Sequence, residues 1–144
     1  MKIKIVDLMT RVVEVVTPEM CVRDVATRMK ERNIGSYPVC DGGILVGVVT
    51  DRDLALRVLA EGRDPDTTPV EAVMSTAVTS CSPEDGLEEV LSLMAARRVR
   101  RIPVVGANGR LVGLVTLGKV AETDCEVSGE VLKDVVRPSD GESS

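Results

Sequence analysis

The chain has 144 residues, 44% hydrophobic and 28% charged, with a formal net charge of −5. That length fits one compact domain or one domain of two similar halves, and the negative charge argues against nucleic acid as the main partner. No His occurs, which excludes His-based acid–base catalysis and the usual zinc ligands. With one Tyr and neither Phe nor Trp, the core has to be built from Val, Leu, Ile, Met and Ala. No apolar run approaches the roughly 20 residues that span a bilayer, and no signal peptide is visible. A cytoplasmic location is therefore expected, with Cys21, Cys40, Cys81 and Cys125 as reduced thiols outside any CxxC spacing.

In chain order, a short helix is expected over residues 3–9 and a Val-rich strand over 12–16. The strand ends at Thr17-Pro18-Glu19, whose hydroxyl, early proline and acid suit a helix start. The next segment carries Val22, Val25, Ala26 and Met29 at i, i+3, i+4 and i+7, the apolar stripe of a helix. A strand over 37–40, the turn Asp41-Gly42-Gly43 and an apolar strand over 44–49 make a hairpin. A second helix begins at Thr50. Residues 62–69, rich in Pro, Asp and Thr, form a polar surface linker.

The pattern then repeats, 65 residues on from Met9 to Met74. A short helix is expected over 70–74 and a strand over 77–81, ending at Ser82-Pro83-Glu84. Leu87, Val90, Leu91 and Met94 repeat the helical stripe. Strands over 102–105 and 111–115 flank the turn Gly106-Ala107-Asn108-Gly109, and a helix starts at Thr116. The reading is an α/β (α+β) fold of two β-α-β-β-α repeats, at 7–61 and 70–136, with a polar, frayed tail at 137–144. Neither half buries a good core alone, so the two are expected to pack together with pseudo-two-fold symmetry.

One segment carries chemistry. In Gly47-Val48-Val49-Thr50-Asp51-Arg52-Asp53 a strand ends and a helix begins, leaving backbone amides that favour phosphate. Thr50 adds a hydroxyl, and Asp53 can accept hydrogen bonds from both hydroxyls of a ribose. Arg52 adds a cation able to fork onto phosphate. The bland reading makes Thr50 a helix cap and Asp53 a first-turn acid. The basic run Arg97-Arg98-Val99-Arg100-Arg101 is partly a solvated helix end. No nucleophile–base pair, Walker loop or acid pair is present, so catalysis is not expected.

With its paired Met-Thr/Ser starts, its apolar-Pro-Val strands (Pro38-Val39, Pro103-Val104) and its Gly-apolar-apolar-Thr-x-x-Asp segment, the sequence resembles the CBS-domain family. More narrowly, it resembles the tandem pair called a Bateman module, over roughly residues 7 to 136. The resemblance implies a stand-alone regulatory module that binds AMP, ADP or ATP, with Mg²⁺ left open, in the cleft between its repeats. Val48, Thr50, Arg52 and Asp53 of the first repeat would work with Ala77, Val78, Val99, Arg100 and Arg101 of the second. A weaker second site would use Val12, Val13, Ile34, Gly35, Ser36, Thr116 and Lys119, where Lys119 replaces the ribose aspartate. The resemblance also implies a homodimer and a protein target not encoded here, with no required cofactor and no membrane contact. Two alternatives stand beside it: a structural or dimerisation scaffold with little ligand use, and a binder of another adenosyl ligand such as S-adenosylmethionine.

Overall fold

The computed structural model describes residues 3–123. Cys125 and the tail expected at 137–144 lie outside them. The fold is mixed α/β with two small antiparallel sheets. Strand β1 (Ser36–Asp41) pairs with β2 (Ile44–Thr50), and β3 (Arg101–Val105) pairs with β4 (Leu111–Thr116). The first hairpin turns on Gly42 and Gly43, with φ of +59° and +89°. Two consecutive positive φ values make the primed turn that matches strand twist, and side chains resist them. Each hairpin slips register once, between Val39 and Cys40 and between Val104 and Val105.

The helices are α1 (Val22–Arg32), α2 (Asp51–Leu54, continued by a π-type turn over Ala55–Leu59), α3 (Leu87–Arg97) and α4 (Leu117–Thr123). The stripes fall where the spacing predicts. Val22, Val25 and Met29 of α1 are buried, as are Leu87, Val90, Leu91 and Met94 of α3, while Ala26 is exposed.

Two expectations change. The strands expected over 12–16 and 77–81 reduce to single parallel bridges, Val16 to Val39 and Cys81 to Val104. The Thr-Pro-Glu and Ser-Pro-Glu signals make turns ahead of the helices instead of starting them. Met20 N donates to Thr17 O at 3.2 Å, and Asp85 N donates to Ser82 O at 3.0 Å. The carbonyls at these turns are claimed from far along the chain. Pro18 O accepts from Glu71 N and Met20 O from Val70 N, while Pro83 O accepts from Val6 N and Asp85 O from Ile5 N. A carbonyl so engaged is not available to a continuing helix, so α1 and α3 begin three to four residues later than the local signal suggests.

Among the described residues the chain forms two compact units, one of residues 14–78 and one of residues 3–13 with 79–123. Each has its own core. Val16, Val25, Val39, Val49, Val70 and Val73 lie in the first. Ile5, Leu8, Leu91, Met94, Ile102 and Val115 lie in the second. The sequence repeats have therefore exchanged their leading segments. The short 3-10 helix Val70–Ala72 packs with the first repeat, and its counterpart Ile5–Asp7 packs with the second.

Candidate functional site

The site is built at the end of β2. Gly47 allows a close approach: a Cβ there would sit 2.7 Å from Met74 Sδ and 2.9 Å from Ser75 O. That gap lets the 74–75 segment lie against the strand, where Val48 and Ser75 exchange two backbone hydrogen bonds of 2.9 Å. Two residues on, Thr50 (φ −118°, ψ 163°) is extended and caps α2. Its hydroxyl accepts from Asp53 N at 3.0 Å, and Asp53 Oδ2 accepts from Thr50 N at 2.9 Å. This reciprocal box satisfies two amides at once.

Asp53 is 8% exposed, and a carboxylate that deep has to be hydrogen-bonded. Besides Thr50 N, it accepts from Ser75 Oγ, at 3.3 Å to Oδ1 and 3.5 Å to Oδ2. Arg57, one turn on, brings Nε to 4.0 Å from Oδ1. Its Nη1 donates to Val73 O at 3.1 Å and Met74 O at 3.2 Å. A carboxylate offers about four acceptor positions, so the cap and Ser75 leave room for two further donors. Thr50 likewise keeps its hydroxyl proton for donation.

Of the expected residues, Val48, Thr50, Arg52, Asp53, Ala77 and Val78 belong to this unit. Val48, Thr50 and Asp53 gather around Ser75. Arg52 and Ala77 are exposed, and Val48 and Val78 are half-buried. Ile34, Gly35 and Ser36, expected in the weaker site, lead into β1 in the same unit, and Gly35 O accepts from Asp51 N at 2.9 Å. Ser75 and Arg57 escaped the sequence reading as site residues. The Met-Thr/Ser repeat marked Ser75, but nothing local marked Arg57, which reaches carbonyls 16 and 17 residues on.

In the other unit the same frame recurs in reduced form. Thr10 and Leu114 exchange backbone hydrogen bonds of 2.8 and 2.9 Å, and Gly113 admits Met9 as Gly47 admits Met74. Thr116 Oγ1 accepts from Lys119 N at 3.2 Å, but Lys119 is exposed and brings no carboxylate back to the Thr116 amide. Val13 is half-buried, and Val12 is among the most exposed apolar residues. Val99 N caps the end of α3 on Met94 O, and Arg100 O accepts from Leu117 N. Arg101 opens β3 half-buried, its Nε buried without a hydrogen-bond partner. Among the described residues no three His, Cys, Asp or Glu side chains gather as a metal site, and no helix is long and apolar enough to cross a membrane.

Comparison with known proteins points to one family. Residues 5–60 and 70–124 each fit the family model of the CBS domain. The CBS domain-containing protein YhcV of Bacillus subtilis is 43% identical over 131 residues, 90% of this chain and 92% of its own. The solved structure of Hypoxic Response Protein I with two coordinated zinc ions superposes with a TM-score of 0.76 at 32% identity, covering 85% of this chain and 99% of that one. That of CBSX2 in complex with AMP gives 0.72 at 28% identity, over 86% and 97%.

Proposed function

The chain belongs to the CBS-domain family, which it matches in two tandem copies, and from that premise we propose that it is a regulatory, non-catalytic module binding AMP, ADP or ATP. The observation that carries the proposal is Asp53: a nearly buried carboxylate, held in place by Thr50 and Ser75, with acceptor positions left for the two hydroxyls of a ribose. Thr50 offers a hydroxyl proton and Arg52 a cation beside it. Val48, Ala77 and Val78 supply apolar surface for the base. Val99, Arg100 and Arg101 are included in the ligand set on the family's ground, the two arginines as guanidinium groups able to fork onto phosphate. The AMP of the CBSX2 structure supports the same ligand class. The zinc of Hypoxic Response Protein I does not carry over, because this chain has no His and no clustered donor set among its described residues.

Binding would shift the balance between conformations of the module and so bias a protein target. Homodimeric assembly and a cytosolic setting belong to the same proposal. The second reading, a scaffold with little ligand use, is favoured by one observation: the Asp53 carboxylate is already engaged by the Thr50 amide in the capping box of α2.

Titration calorimetry of the whole chain against AMP, ADP, ATP, S-adenosylmethionine and NAD, with and without Mg²⁺, separates the readings. We expect saturable binding of an adenine nucleotide near one per chain, lost in Asp53→Asn, which keeps an oxygen for the cap. A panel that binds nowhere leaves the scaffold.

A further inference from the structure

Asp53 is not oriented by its own helix alone. The bond from Thr50 N reaches only Oδ2, and the terminal torsion of an aspartate is broad, so that bond leaves Oδ1 free to swing. Among the described residues, the only side-chain hydroxyl that touches both oxygens belongs to Ser75, 22 residues on, at 3.3 and 3.5 Å. Ser75 is itself fixed. Two backbone hydrogen bonds tie it to Val48, and Arg57 Nη1 holds the carbonyls of the two residues before it. Arg57 Nε, 4.0 Å from Oδ1, adds a cation on the same side. The other repeat keeps the backbone pairing at Thr10 and Leu114 but has Lys119 and Thr123 in place of Asp53 and Arg57. The whole arrangement therefore occurs once among the described residues.

On the reading that Asp53 receives a ribose diol, we infer that Ser75 is a positioning residue for that diol, fixing the rotation of the carboxylate so that its two remaining acceptor positions are set for two neighbouring hydroxyls. A single hydroxyl shared between both oxygens uses about one acceptor position, which leaves the pair available. Arg57 acts one step further back, by holding the segment that carries Ser75.

The test uses the full chain with Ser75→Ala and Ser75→Thr, titrated with AMP and with 2′,3′-dideoxy-AMP. Ser75→Ala is expected to bind AMP roughly three- to tenfold more weakly, the size of one net hydrogen bond, and to bind the dideoxy nucleotide as the unaltered chain does. Ser75→Thr, which keeps a hydroxyl there and puts the residue type that Thr10 holds at the matching place of the other repeat, is expected to recover AMP affinity. Equal losses on both nucleotides, or no recovery with Thr, would overturn the inference as general damage to the site. If Asp53→Asn abolishes AMP binding while Ser75→Ala leaves it intact, Ser75 has no such role and the nucleotide reading survives. If the unaltered chain binds neither nucleotide, or Asp53→Asn binds AMP normally, the reading fails and the inference with it.

Discussion

A buried thiol resists ionisation because its anion loses water that nothing replaces. Cys81 shows this most: burial, with Asp85 adding a like charge, pushes its thiol up to about 11 from an ordinary 9.0. Burial also raises Cys40. Tyr37, whose hydroxyl donates to Glu14 Oε1 at 3.2 Å, is raised by burial first and then by the Glu14 charge. In each case the native state holds its proton more tightly than the unfolded chain does. The stability linked to Cys81 is therefore fully present below pH 9.0 and is lost as pH climbs toward about 11. We expect thermal melts to weaken across that window, and Cys81→Ala, though less stable at neutral pH, to show a shallower alkaline decline. A melting series that stays flat from pH 9 to 11 would contradict this. The same residue scale decides what could be read in advance. Thr50 and Asp53 lie three apart, and the sequence set each at the start of α2, as a cap and as a first-turn acid; Ser75 joins them only because the chain returns to β2.

At the scale of elements, α1 and α3 close in the same way, on a residue in the left-handed region: Asn33 and Arg98, each with φ of +54°. Asn tolerates that conformation, whereas a longer side chain is strained there by about 1–2 kcal/mol. Arg98→Gly should relieve the strain, offset in part by the freedom glycine gives the unfolded chain. We expect a gain of about 0.5–1 kcal/mol in urea denaturation, and a loss would show that the Arg98 side chain holds something in place. The elements were largely legible. Period 3.6 located both long helices, and short apolar runs flanking a glycine turn located both hairpins. What misled was the Thr/Ser-Pro-Glu signature, a sound local signal for a helix start. Its carbonyls were claimed by amides of Val6 and Glu71, more than fifty residues away, and local pattern holds no information about partners at that distance. The strands before it failed for a related reason, since Val16 and Cys81 each find one bridge partner before the chain turns away.

For the whole molecule, the repeat visible in the sequence and the unit that packs are offset. Cutting at the linker would leave residues 1–61 without Val70 and Val73, both fully buried in the core they join. Losing two such side chains costs several kcal/mol, comparable to the stability of a small domain. A fragment of residues 14–78 keeps its whole core. We expect it to show a cooperative thermal transition by circular dichroism and residues 1–61 to show none. The reverse result would mean that the leading segments contribute little to either core.

The exchanged leading segments also set an order on synthesis. Residues 14–78 form one continuous unit, which can close once residue 78 is made. Residues 3–13 precede it in the chain yet belong to the unit completed by residues 79–123. Ile5 and Leu8 share a core with Cys81 through Val120. At 5–20 residues per second the wait between making them and making that core is on the order of ten seconds. For that interval two apolar side chains have been made and have nowhere to be housed.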